Sequence, residues 1–129
     1  MENHHVVPIS ISGWDVIENQ FLVSISDHKL IHSTLNIPYS NIRKFRRLTN
    51  HVLVPNIVYM EQLEYVQRLY FEGIEKLPVI LYDKHVRSMR MLANLACHWY
   101  DHKVKCSPTF WDYFNAYHQA QRKYVNSLH

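Results

Sequence analysis

Apolar and polar positions follow two different rhythms along this chain, and the change comes near residue 36. Before it, short apolar runs are separated by polar punctuation. His4-His5-Val6-Val7-Pro8-Ile9 reads as a brief strand closed by proline, which has no amide hydrogen to give to a sheet. Residues 10–18 read as a loop with Gly13 as its turn position. Phe21-Leu22-Val23-Ser24-Ile25 predicts a second strand. Ser26 or Asp27 then caps a helix to about Leu35, which ends before Asn36 and Pro38. The order is strand, loop, strand, helix.

After that the spacing turns helical. Ser40 caps a segment with Ile42, Phe45 and Leu48 on one side and Arg43, Lys44, Arg46 and Arg47 on the other. Pro55-Asn56 opens a helix carrying Tyr59, Leu63, Val66 and Tyr70, with Gly73 as its stop. Leu77-Pro78-Val79-Ile80-Leu81-Tyr82 suits a strand or a helix start equally. Val86, Met89, Ala93, Ala96 and Tyr100 then form a helical stripe. Ser107-Pro108 supplies an N-cap and a proline at the first helical position of a last helix that buries Phe110, Phe114 and Tyr117. Internal repeats, low-complexity tracts and flexible linkers are not evident.

Composition narrows the class without naming a function. A chain of 129 residues, 47% hydrophobic, fits one compact domain with a real core and a small added lobe. Two glycines are too few for an all-β design with many tight turns. The fold class expected is therefore α+β. The net charge of +3, with ten histidines able to add to it, biases the protein mildly toward anionic partners. Cys97 and Cys106 suggest no disulfide framework. No apolar run approaches the roughly 20 residues of a membrane helix, and the opening Met1-Glu2-Asn3-His4-His5 lacks the regions of a signal peptide. The expectation is a cytoplasmic protein with no membrane partner.

Histidine placement changes the picture. His28 and His32 stand four apart on the predicted helix, so their rings share one face and can share a metal ion. His4 and His5, on the first strand, can bring one further imidazole to that ion if the strand packs beneath the helix. Three imidazoles leave positions open for water and substrate, as catalytic sites require. Neighbouring strand residues point apart, so His4 and His5 suit separate roles. A neutral imidazole not spent on the metal is well matched to taking a proton from water at neutral pH.

His4-His5-Val6-Val7-Pro8, Asn19, Leu22-Val23 and His28-x-x-x-His32 together resemble the HNH endonucleases of the ββα-metal, or His-Me finger, superfamily. The pattern is most similar to phage-associated and homing-type members, and it shares a three-histidine metal set with the nuclease colicins. The resemblance covers about residues 2–35. It implies that His4, His28 and His32 ligate the metal, that His5 is the general base, and that Asn19 holds the loop and first strand so that His5 faces the attacking water. Ser12-Gly13 stands where the family often has paired glycines, and Phe21 separates Gln20 from Leu22-Val23. The implied cofactor is one divalent ion, zinc, nickel, manganese or magnesium, and a nitrogen-only ligand set favours a transition ion over magnesium. The implied activity is nicking or double-strand cleavage of DNA, with RNA as another substrate for the same site. The alternatives are an RNA- or DNA-degrading toxin, and a nucleic-acid-binding or phage-accessory module that keeps the fold without turnover.

On this reading residues 1–36 are the nuclease core, and residues 37–129 form a helical region packed on it that serves DNA docking or homodimerisation. Arg43, Lys44, Arg46 and Arg47 are its candidate phosphate contacts, against the alternative of an ordinary solvated helix face. Lys84, Arg87 and Arg90 are a second basic group better read as solvated. His98, His102 and Cys106 repeat the four-residue spacing of a metal site but have no fourth ligand. His51, His85, His118 and His129 have no partner at ligand spacing and read as surface or packing residues. The aromatic run from Phe110 to Tyr117 reads as core.

Overall fold

The computed structural model of the chain describes residues 1–8, 13–35, 46–49, 52–55, 60–99 and 109–127. Its class is the α+β expected: the described residues form two antiparallel strand pairs and four α-helices, with helix predominating. No helix among the described residues is long and apolar enough to cross a membrane.

Strand β1 (Glu2–His5) pairs antiparallel with β2 (Gln20–Val23), placing His4 opposite Phe21 and His5 opposite Gln20. Both strands lie earlier than the apolar pattern predicts. β1 stops at His5 because the side chain of Asn19, not a backbone partner, takes the Val7 amide hydrogen and carbonyl. β2 stops at Val23 because the Ser24 hydroxyl accepts the Asp27 amide hydrogen at 3.2 Å. Ser24 thereby takes the capping role expected of Ser26 or Asp27, and helix α1 spans Ile25–Leu35. The connection between β1 and β2 ends in a single 3-10 turn, Ile17–Asn19. Gly13 sits against β1's exit: a Cβ there would lie 1.8 Å from the Val7 carbonyl oxygen, so no other residue fits without moving the backbone.

Sequence periodicity misreads the next segment. Arg46–Thr49 is not helical but a strand, β3, paired antiparallel with β4 (Val52–Pro55) in the register Arg47 to Val54. The run Arg47-Leu48-Thr49 and the run Val52-Leu53-Val54 are rich in residues suited to strands, and cross-strand pairing overrides the i, i+3 pattern read from Ile42, Phe45 and Leu48. The helical grouping of Arg43 with Arg47 therefore fails at Arg47. Arg43 and Lys44, with the proposed Ser40 cap, lie outside the described residues.

Helix α2 (Met60–Ile74) starts after Pro55, which ends a strand instead of opening a helix. Gly73 is not its stop but lies inside its last turn, where a Cβ would come within 3.0 Å of the Leu35 Cα. It lets α2 and α1 approach closely. Leu77–Tyr82 resolves as a helix start, and α3 runs Val79–Trp99. Helix α4 (Phe110–Ser127) is capped by Thr109, whose hydroxyl accepts the Asp112 amide hydrogen and donates to the Asp112 carboxylate at 2.7 Å. The cap is thus two residues later than the Ser107 expected, and Ser107 and Pro108 lie outside the described residues.

Among the described residues one apolar core joins the helices to the opening strands. Phe110, Phe114, Tyr117 and Ala120 of α4 pack with Met89, Leu92, Ala93 and Ala96 of α3, and Tyr70 and Ile74 of α2 join them. Val6, Val7, Trp14, Val23, Ile31 and Leu35 extend the same cluster into the first 35 residues. The fully buried Trp14 ring meets Tyr117 edge-on, with centroids 5.4 Å apart.

Candidate metal centre

His4 is the second last residue of β1 and is buried, while His28 and His32 lie one turn apart on the face of α1 turned toward it. The three offer one nitrogen each within 4.8 Å of one another. His28 Nε2 and His32 Nε2 are 2.9 Å apart. Two nitrogens on one tetrahedral ion at about 2.0–2.1 Å stand roughly 3.3 Å apart, so for both to bind an ion they would part by tenths of an ångström and give up the hydrogen shared between them. The site is graded in exposure: His4 is buried, the His28 side chain is about one-fifth exposed, and His32 is open to solvent. One side is closed by protein and the other faces water.

The donor set suits an ion. Burial, and then the neighbouring rings of His85, His28, His32 and His5, push the His4 pKa down to about 2. His32 is also lowered, first by burial and then by His28. Both rings therefore keep a lone pair to give at neutral pH. His28 Nδ1 lies 3.0 Å from a Glu2 carboxylate oxygen. A carboxylate accepts, so Nδ1 carries the hydrogen and Nε2, facing His32, is the bare nitrogen. This carboxylate–imidazole pairing is the outer support that metal-bound histidines usually have.

His5, next along β1, takes a separate course. Its Nε2 donates to Asp15 at 3.0 Å, and the same carboxylate oxygen accepts from the Gln20 amide at 3.3 Å. In the neutral ring the lone pair is then on Nδ1. The side chain is about one-quarter exposed, so water reaches it.

Asn19 is fully buried and saturates its amide on the backbone around it. It accepts the Val7 amide hydrogen at 2.8 Å and donates to the carbonyls of Val7 and Trp14, each at 2.8 Å. Its own carbonyl accepts the Val6 amide hydrogen at 2.8 Å. A single side chain thus closes the loop onto the end of β1, immediately after His4 and His5.

The residues singled out from sequence therefore separate into groups. His4, His28 and His32 come together, with His5 next along β1 and Asn19 in the turn that leads into β2. Arg46 and Arg47 belong to β3. His98 is exposed near the end of α3, and His102 and Cys106 lie outside the described residues. Four polar residues at the site were not anticipated: Glu2, Asp15, Gln20 and His85. His85 is the largest departure, since it is neither a surface residue nor mere packing. It is fully buried on α3, and its Nε2 lies 2.9 Å from His4 Nε2. A faint signal existed: His85 falls in helical phase with Met89, Leu92 and Ala96, which marks it as an inward position. Phe21 closes the group, with its ring centroid 5.2 Å from His4 and 5.0 Å from His85.

No protein-family model, curated protein or solved structure matches this chain.

Proposed function

We propose that the chain is a metal-dependent endonuclease of the HNH kind, built on a ββα-metal unit, that hydrolyses phosphodiester bonds of DNA. The observation that carries this reading is the meeting of His4, from a strand, with His28 and His32, from the following helix, while His5 sits next door with a free ring nitrogen. Strand pair, loop and helix occur in the order the family pattern requires, and Asn19 clamps the loop as that pattern implies.

The division of labour follows from the hydrogen bonds. His4 Nδ1 or Nε2, His28 Nε2 and the His32 ring would hold the ion. When bound, it supplies positive charge for the phosphate and the departing oxygen. Asp15 holds the Nε2–H of His5, so Nδ1 receives the proton of the attacking water. Asn19 fixes the strand end from which His5 projects. Lys84 stands beside the site, its ammonium 6.0 Å from the Phe21 centroid, and it joins Arg43, Lys44, Arg46 and Arg47 as a source of phosphate contacts.

Purified protein incubated with supercoiled plasmid and zinc, nickel, manganese or magnesium is expected to yield relaxed or linear DNA, and chelator abolishes the product. His5→Ala is expected to lower cleavage by at least about 100-fold, the scale of a general base, while one ion is still bound. A wild-type chain that binds DNA and metal but leaves the plasmid intact identifies a binding module instead. Cleavage of RNA alone identifies a ribonuclease using the same site.

A further inference from the structure

We infer that His85, from helix α3 and 81 residues away in sequence, is a positioning residue that sets the tautomer and ring orientation of His4 for metal binding. This rests on the metal-centre reading above and adds a part from outside the strand–strand–helix unit.

The deduction uses donor and acceptor roles alone. His85 Nδ1 lies 2.7 Å from the Leu81 carbonyl oxygen, one turn earlier on α3. A carbonyl can only accept, so Nδ1 of His85 carries the hydrogen and its Nε2 is bare in the neutral ring. That bare Nε2 faces His4 Nε2 at 2.9 Å, so His4 must donate. A neutral His4 that holds its hydrogen on Nε2 has its lone pair on Nδ1. The observed contacts run from His4 Nε2–H to His85 Nε2 and from His85 Nδ1–H to Leu81, and His4 Nδ1 would be the atom left to hold an ion. Each polar atom is used once.

Two further observations support a positioning role. Both rings are essentially shielded from solvent, so an unpaired nitrogen in either place is costly. Against packing alone, a phenylalanine would fill the same volume without needing Leu81 or His4. A role as fourth ligand does not suit the geometry. His85 is not among the residues whose donor atoms converge within 4.8 Å, and its Nε2 is committed to His4.

The test compares wild type, His85→Gln and His85→Phe. Glutamine keeps an acceptor for the His4 Nε2–H, whereas phenylalanine keeps bulk and removes it. Zn²⁺ and Co²⁺ affinities are read by competition with a chelating dye, and side-chain ¹⁵N shifts of the metal-free wild type report the tautomers. The expected result is His4 protonated on Nε2 and His85 on Nδ1. Affinity is expected to fall about 10- to 100-fold in His85→Phe, as for lost outer-shell partners generally, and to recover to within about 5-fold in His85→Gln. Circular dichroism selects variants that are folded. If His85→Phe does not fold, the tautomers and the His85→Gln affinity decide alone. Unchanged affinity in folded His85→Phe, or His4 protonated on Nδ1, overturns the role of His85 while leaving the metal centre intact. A wild-type chain that takes up neither ion overturns the metal centre and this role with it.

Discussion

Helix α3 buries Leu81, Met89, Leu92, Ala93 and Ala96 along with His85 and Ser88, while α1, about half as long, buries only Ile31 and Leu35. The contrast extends to everything around them. Between α3 and α4 lies an apolar layer, which Phe110, Phe114, Tyr117 and Ala120 complete. In the opening 35 residues, by contrast, the buried set includes His4 and Asn19, and the loop is closed by hydrogen bonds to one amide. Some 35 residues bury too little apolar surface to be independently stable. The opening unit therefore borrows: Tyr70 of α2 bonds the Val6 carbonyl, Ser88 of α3 bonds the Glu18 carbonyl at 2.7 Å, and His85 bonds His4. The helices bring stability, and the strand–helix unit uses it to keep polar groups buried in fixed positions.

The sharpest way to break this contrast is Asn19→Ala. It strands the Val7 amide hydrogen and the carbonyls of Val7 and Trp14 in a dry interior. Each unsatisfied group costs about 1–3 kcal/mol, so a loss on the order of 3–6 kcal/mol is expected in urea unfolding. Leu92→Ala, in the hydrocarbon layer, is expected to cost about 2–5 kcal/mol through its cavity. The two differ in what survives. Folded Leu92→Ala should retain wild-type metal affinity within a few-fold, whereas Asn19→Ala should lose at least about 10-fold because β1 no longer holds His4. Equal effects on metal uptake would erase the proposed division between the regions.

Acid provides the next largest effect, and it separates the regions without mutation. Burial pushes His4 down to about 2 and His85 down to about 4, against about 6.5 for each in the unfolded chain. Between pH 6.5 and 4 the unfolded state binds protons that the folded state refuses. Stability therefore rises with pH and is lost as pH falls below 6.5. For the metal-free protein, these two rings give a loss on the order of 2–4 kcal/mol from pH 7 to pH 5. His32 and His118, also lowered by burial, act in the same direction. Chemical denaturation at the two pH values measures this, and a flat profile would mean that the buried imidazoles titrate as free ones do.

What could be read from sequence follows the range of the interaction. The order strand, loop, strand, helix was legible because histidine spacing and short apolar runs are local signals. So was the last helix, since Phe110, Phe114 and Tyr117 repeat at its period and are all buried. Element ends were shifted where a single hydroxyl or amide intervened: Ser24 caps α1, Thr109 caps α4, and Asn19 ends β1. β3 was misread because four residues cannot separate a helical from an extended period, and its identity depends on a partner strand. His85 lay beyond reach for a similar reason. Its partner is 81 positions away, and nothing in linear spacing joins a helix interior to the chain's first strand.

The smallest of these effects tests the seam between the regions most selectively. The Tyr70 hydroxyl donates to the Val6 carbonyl, two residues beyond His4, and its ring lies in the helical core against Phe114 with centroids 5.7 Å apart. Tyr70→Phe keeps the ring packing and removes that tie. The Val6 carbonyl then remains buried without this donor, which costs about 1–2 kcal/mol. Because Ser88 and His85 still hold the unit to α3, metal affinity should change by less than about 3-fold. A larger fall in affinity, with stability lowered only by this amount, would mean that the tie at Val6 governs how His4 meets α1, and that the strand is positioned by α2 rather than α3.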